Sequence, residues 1–382
     1  MRYVRKFTII FIINLIVLFG LIGIFDFLSI TITKSKDFLF NKELSSQDSF
    51  YTISEMPIFS GVPWIKAYIS DANDLEMDFS SFTGWRRNKY ESVTINIDSL
   101  GIRHTTSHPA TTASSLRTAF LGGSTIWGTC VIDSLTIPSI FNRLGAGRYD
   151  AVNLGETSYN AYQNHQFLQI RVIDGYRPEV IISYDGVNNT PGMLPGPFSH
   201  HRESQIDALL KGADSPKQVP SYGDYFLKPT INLLRKASHR MFEKDDFQKG
   251  TDHKSAVQKS TMSDEAAARF LLESWLLTKG LADQINARYY CILQPNVYVG
   301  KPRIGHLTNL APFSYRYYDH VRSQIDSSSR YAGLKDCFID MTAAFDDLDD
   351  IYFDFCHVMP AGNVIIAKRI LEHIEKKQVQ AN

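Results

Sequence analysis

Short apolar runs, each closed by Gly, Pro, Asn or a polar turn residue, recur along the chain at Arg117–Gly123 (RTAFLGG), Tyr149–Gly155 (YDAVNLG), Pro178–Gly186 (PEVIISYDG), Arg288–Asn296 (RYYCILQPN) and Asp336–Thr342 (DCFIDMT). Runs this short and this apolar predict strands of a parallel sheet, where both faces of a strand meet apolar neighbours. The stretches between them carry helical spacing. Ile137, Ile140, Phe141 and Leu144 share one apolar face, while Tyr162, His165, Gln166 and Gln169 share a polar one. Helical patterns also cover Ala266–Ala287 and Asn363–Lys377. Strands alternating with helices predict right-handed crossovers and a doubly wound α/β sheet with helices on both faces. In such a sheet ligands bind beyond the carboxyl ends of the strands, where these glycine-rich run ends would gather.

The pattern changes at both ends of this region. From Phe7 to Phe25 only Thr8 and Asn14 are polar. A helix of that length spans about 28 Å, close to the roughly 30 Å hydrocarbon thickness of a bilayer. Arg2, Arg5 and Lys6 precede the run and Asp26 follows it, so the positive-inside rule keeps the N-terminus cytoplasmic and sends the rest across. The run is long for the h-region of a cleaved signal peptide and no A-x-A-like site follows. The expectation is a single-pass signal anchor over residues 1–33, with the remainder periplasmic or extracellular. Residues 34–115 then read as a small accessory leader, β-rich around FTGWRRNKYESVTINIDSLGIRHTT. Residues 116–382 read as the main domain, interrupted by an insertion at about 190–264 that is poor in strand patterns and rich in Gly, Pro and basic residues. That insertion is either a solvated excursion or a lid over the strand ends.

Composition narrows the function classes. The 382 residues are 44% hydrophobic and 21% charged with zero formal net charge. That is globular composition with no basic tract, so nucleic acid is not an expected partner. The cysteines, Cys130, Cys291, Cys337 and Cys356, make no CxxC pair, so neither a metal site nor a cofactor is expected from them. Cys291 and Cys337 fall inside apolar runs, where buried free thiols are the ordinary state.

Candidate chemistry lies at the run ends. FLGGSTIWG places Ser124 where a strand turns into a helix, a position from which a hydroxyl can attack if a base takes its proton and donors stabilise the resulting oxyanion. The G-x-S-x-G elbow is absent, because Ile126 stands where its second glycine belongs. Far downstream, DFCH puts Asp354 three residues before His357. That spacing lets the carboxylate hold the Nδ1 proton and leaves Nε2 free as a base. NLGETS supplies Asn153, Gly155 and Ser158, and YDGVNN supplies Gly186, Asn188 and Asn189. Glycine N–H groups and asparagine amides are suitable oxyanion donors, though both residue types are also common in turns.

These four pieces, in this order, resemble the SGNH (GDSL) hydrolase family, whose blocks each contribute one of Ser, Gly, Asn and His. The resemblance runs from about Arg117 to His373 and rests on GGST, NLGETS, DGVNN and DFCH. It implies a flavodoxin-like three-layer α/β/α sandwich on a five-stranded parallel sheet. It also implies ester hydrolysis through an acyl-serine: Ser124 as nucleophile, His357 as base and acid, Asp354 as its orienting carboxylate, and an oxyanion hole of Ser124 N–H, Gly155 N–H and the Asn188 side chain. The expected substrate is an acylated carbohydrate of the envelope or of an exopolysaccharide, or another small ester. Alternatives on the same fold are an O-acetyltransferase passing the acyl group to a sugar hydroxyl, and a non-catalytic polysaccharide-binding or assembly protein. The resemblance further implies that Cys130 and Cys356 lie close enough for a disulfide, and that His165, His200 and His201 are surface or lid residues rather than metal ligands. Two positions depart from the family pattern: Gly123 stands where it commonly has Asp, and Asn189 where Asp is frequent.

Overall fold

The computed structural model describes residues 53–191, 262–307, 310 and 316–381. The expected anchor over residues 7–25, His200 and His201, and the interior of the insertion lie outside the described residues. Among the described residues no helix is long and apolar enough to cross a membrane.

The leader contributes α1 (Ile65–Asn73), the antiparallel pair β1 (Met77–Ser80) and β2 (Gly84–Arg87), and a second antiparallel pair, β3 (Tyr90–Glu91) and β4 (Asn96–Ile97). The main domain then runs β5 (Leu116–Gly122), α2 (Ser124–Trp127), α3 (Ile137–Gly145), β6 (Tyr149–Asn153), α4 (Ala161–Ile173), β7 (Val180–Asp185), α5 (Asp264–Gln284), β8 (Arg288–Leu293), α6 (Arg316–Ser327), β9 (Phe338–Asp340) and α7 (Pro360–Ala381). Its five strands are all parallel, in the order β6-β5-β7-β8-β9. The five expected strands are therefore all present; β5 is shifted by one residue from its expected run and the other four are shorter than theirs by two to four residues.

Alternation along the strands divides the core into two layers. Phe120, Val180, Ile182, Tyr290 and Ile292 face one side, where α3 and α7 pack together. Ala119, Leu121, Ile181, Tyr289, Cys291 and Leu293 face the other, against α4, α5 and α6. Each fully buried Ile, Leu or Phe contributes about 1.5–3 kcal/mol. Three helix starts are fixed locally: the Thr136 side chain caps α3, Asn160 and Gln163 form a capping box at α4, and Ser263 caps α5. The outer edge of β6 is closed by side chains. Asn142 accepts from the Ala151 N–H at 2.8 Å, Thr105 accepts from the Asn153 N–H at 3.1 Å, and Arg103 makes a single antiparallel bridge to Asn153.

The leader packs on this sandwich through its own apolar cluster. Phe59, Ile65, Tyr68, Ile69, Ile95 and Ile97 bury Trp127, Cys130 and Phe353 of the main domain.

Three sequence expectations need correction. His165, expected at the surface, is buried against α5 with Nδ1 3.3 Å from Thr278 Oγ1, while Gln169 on the same face stays exposed. Leu144, one residue before the end of α3, is exposed, whereas Ile137, Ile140 and Phe141 are buried. No disulfide joins Cys130 to Cys356; all four cysteines are free and buried, with Cys130 in the leader cluster and Cys356 Sγ 3.6 Å from His357 Nδ1. The Cys291 and Cys337 thiols are free, as their apolar surroundings imply.

At the end of β7 the buried carboxyl of Asp185 accepts from Asn164 Nδ2 and Trp275 Nε1, both at 2.9 Å. Burial pushes its pKa from 3.8 up to about 6, the two hydrogen bonds opposing the rise. A carboxyl that binds its proton more tightly folded than unfolded stabilises the fold most below pH 3.8, and this contribution is lost as pH rises through 6. Asp185→Asn removes the titration. Relative to that variant, the wild type should lose about 1.4 kcal/mol of stability between pH 5 and pH 8 in urea unfolding. A pH-independent difference would show that Asp185 titrates normally.

Candidate active site

The sheet order reverses at β5, since the chain leaves it for β6 on one side and later returns to β7 on the other. The crevice at that switch point is where a doubly wound sheet opens at its carboxyl end. Ser124 follows β5 directly and Asn188 follows β7, so the two flank the crevice. The glycine before the serine is required by space rather than by conformation. Gly123 has an ordinary φ of −85°, but a Cβ there would run into the Asn188 side-chain amide.

His357 reaches this point from the loop between β9 and α7. Its Nε2 is 2.6 Å from Ser124 Oγ, and its Nδ1 is 2.6 Å from Asp354 Oδ2. The loop is itself built by the aspartate: Asp354 Oδ1 accepts the backbone N–H groups of Cys356 at 2.8 Å and His357 at 2.7 Å. The Phe353 N–H donates to the His357 carbonyl at 3.1 Å and closes the turn. The Phe353 ring stacks on the imidazole, with centroids 5.7 Å apart and planes 15° apart, and Phe59 of the leader lies behind Phe353 at 5.2 Å.

The charges follow from this geometry. Burial alone would push the Asp354 carboxyl up, but His357 and the two backbone donors outweigh it and hold it below the ordinary range. Burial alone would lower the His357 pKa, yet the Asp354 carboxylate beside Nδ1 raises it well above 6.5. Burial also pushes the Cys356 thiol up, so it stays protonated beside the imidazole. Among the described residues Asp354, Cys356 and His357 form the only cluster whose donor atoms could share a metal ion, within 4.8 Å of one another. With Nδ1 already bound to the carboxylate, the cluster is arranged for proton transfer.

The expected oxyanion donors fare unequally. Ser124 begins α2, where the first N–H groups of a helix have no partner in that helix. Asn188 donates one N–H to the Tyr159 carbonyl at 2.9 Å, which fixes the amide and leaves its second N–H. The Gly155 N–H donates to Asn153 Oδ1 at 3.1 Å. Gly155 is buried, and a Cβ on it would crowd Ile126 and the Trp127 N–H, so glycine is needed there for packing against α2. Asn153 Nδ2 in turn donates to the Ile126 carbonyl at 2.8 Å, and Asn189 Oδ1 accepts the Ala161 N–H that opens α4. Both asparagines therefore act as supports. Ser158 adopts a left-handed φ of 66° in the loop after Gly155.

Sequence reading missed the charged groups that pack around the turn carrying Ser124. Arg103 is fully buried and forms an ion pair with Asp133 at 2.8 Å. It also donates to the carbonyls of Trp127 at 2.9 Å, Gly128 at 2.7 Å and Val131 at 2.7 Å. Arg87 pairs with the buried Glu156, which directly follows Gly155. An acid inside NLGETS was a visible sign that a cation must come from elsewhere, but nothing in the sequence said which one. A groove of about 780 Å³ lies apart from the triad, along β6 between Tyr90, His104 and Asp150.

No protein-family model matches the sequence, and no curated protein matches it either. Similar solved structures include an acetyl xylan esterase, at 14% identity over 67% of this chain and 98% of that one, with a TM-score of 0.37. A carbohydrate acetylesterase from Sinorhizobium meliloti matches at 10% identity over 69% and 99% of the two chains, with a TM-score of 0.35. A member of the lipolytic G-D-S-L family from Veillonella parvula matches at 10% identity over 68% and 97%, with a TM-score of 0.36. Similarity at this level says nothing about what the present chain acts on, and the reading of the site rests on its own geometry.

The raised His357 pKa can be measured without any substrate. Titration of ¹⁵N-labelled histidines should give His357 a midpoint above 6.5, and Asp354→Asn should lower it by removing the carboxylate charge. A wild-type midpoint at or below 6.5 would contradict the coupling described.

Proposed function

We propose that the chain is a serine hydrolase of the SGNH type that removes O-acetyl or other short acyl groups from a carbohydrate. The observation that supports this most directly is the relay Ser124 Oγ, His357 Nε2, His357 Nδ1 and Asp354 Oδ2, with both links at 2.6 Å, beside the sheet's switch point. In the first half-reaction Ser124 Oγ bonds to the ester carbonyl carbon as its proton passes to Nε2. The oxyanion draws on the Ser124 N–H and the free N–H of Asn188. Collapse breaks the bond to the sugar oxygen, which leaves with the proton from Nε2. Water then attacks the acyl-serine, giving its proton to His357, and Ser124 recovers a proton as the acid departs.

The carbohydrate assignment draws on the family resemblance of the four blocks together with the apolar run at Phe7–Phe25. That run, with its preceding basic residues, supports a membrane-anchored enzyme whose catalytic part lies outside the cytoplasm. Release of acetate from an O-acetylated polysaccharide is the corresponding activity.

Hydrolysis of p-nitrophenyl acetate tests the mechanism. Ser124→Ala should lower turnover at least ~10³-fold, and Asn188→Ala about 10²-fold. Equal rates for wild type and Ser124→Ala would remove the serine from the mechanism. Adding an oligosaccharide acceptor should leave acetate as the main product; acetylated acceptor in its place would turn the reading to acyl transfer.

A further inference from the structure

The helix that carries Ser124 is a single turn, Ser124–Trp127, too short to hold itself in place by its own hydrogen bonds. Its last residue is held in an unusual way. Two guanidinium groups lie over the Trp127 ring, Arg87 at 4.1 Å and Arg103 at 4.4 Å from the ring centroid. The Trp127 Nε1–H meets no acceptor among the described residues, so the indole is held through its π system and by packing rather than by its polar edge. Each cation is in turn fixed by a buried acid from the main domain. Arg103 is tied to Asp133, whose other oxygen accepts the backbone and side-chain N–H of Asn96 at 2.9 and 3.0 Å. Arg87 is tied to Glu156 and, at 3.0 Å, to Thr157 Oγ1.

Arg103 also binds the turn's own backbone. Its Nη1 donates to the Trp127 and Gly128 carbonyls, and Gly128 N–H donates back to the Ser124 carbonyl at 2.9 Å. A short run of bonds therefore connects the guanidinium to the residue that carries the nucleophile. A cation at the carbonyl end of a helical turn is also favoured by the turn's dipole. Both arginines come from the leader, and apart from the Thr94 carbonyl, 3.5 Å from Arg103 Nη2, and the Tyr68 ring beside Arg103, the groups they grip belong to the main domain.

We propose that Arg87 and Arg103 form a clamp on Trp127 that sets the position of Ser124, making the leader part of the catalytic apparatus as a supplier of positioning residues. The inference rests on the serine-hydrolase reading above. The clamp acts on where the nucleophile stands and leaves the basicity of His357 unchanged, because neither arginine contacts His357 or Asp354.

The test uses the full-length protein and a fluorophosphonate probe, whose phosphorus forms a bond to Ser124 Oγ as fluoride leaves. The rate of labelling reports the nucleophile without a natural substrate. Trp127→Leu removes the π face. The double variant Arg87→Gln/Glu156→Gln removes one cation without leaving a buried carboxylate unpaired. Both should be labelled on the order of 10- to 100-fold more slowly, as expected for a small displacement of a reacting group. Circular dichroism and the pH midpoint of labelling should stay at their wild-type values, and Trp127→Phe should recover most of the rate because it restores a ring. The clamp is overturned if folded Trp127→Leu and double variants label within twofold of wild type, if the loss only tracks the melted fraction, or if the pH midpoint moves with the rate. A wild-type protein whose Ser124 resists the probe, judged by peptide mass spectrometry with Ser124→Ala as control, would instead bring down the hydrolase reading and the clamp with it.

Discussion

One hydrogen bond of 2.6 Å, between Ser124 Oγ and His357 Nε2, joins residues 233 positions apart in the chain. Closing a contact across so long a separation has an entropic cost, and it is met by the sheet rather than by the bond itself. Ser124 is fixed because β5 is a central strand with a neighbour on each side, and His357 because its loop is pinned at both ends. Tyr352 bridges Val358, and the Met359 N–H donates to the Ile351 carbonyl at 2.7 Å, so the loop carrying Asp354 and His357 has little freedom left. The aspartate then serves two purposes with two oxygens: one shapes the loop through backbone N–H groups, the other orients the imidazole.

Beneath this relay the fold keeps several charged groups out of water, which is costly unless each has a partner. Arg103 with Asp133, and Arg87 with Glu156, answer that requirement across the boundary between leader and main domain. Breaking such a buried pair on one side costs about 3–5 kcal/mol, so the two regions are bound by more than the apolar cluster around Phe59 and Phe353. Asp185 is the exception, a buried carboxyl with neutral donors, and its pKa rises accordingly.

How much of this was legible in the sequence depended on range. The strands were readable because an apolar run is a local property, and their ends carried Ser124 and Asn188, while the Asp354 to His357 spacing stood just before the last helical pattern. Faces of helices were less readable: nothing local in α4 says that α5 will cover His165. Gly155 shows the limit most clearly. Its place at a strand end suggested a donor, but that its N–H meets Asn153 Oδ1 and that its small size is used against α2 could be seen only in the fold. The arginine pairs were invisible for the same reason, since Arg103 and Asp133 are 30 positions apart and only the folded leader brings them together.

The treatment of the β6 edge has a consequence for assembly. A bare edge strand offers a row of unpaired amides and carbonyls on which a second chain can grow the sheet. Here Asn142 binds the Ala151 amide, Thr105 binds the Asn153 amide, and Arg103 takes up a backbone bridge, while β9 at the opposite margin is only three residues long. The sheet is therefore poorly suited to continuation at either side. Copies of this chain, or strand-like peptides, would have to engage it through helices and loops, which keeps the crevice at the strand ends from being drawn into a fibre-like stack.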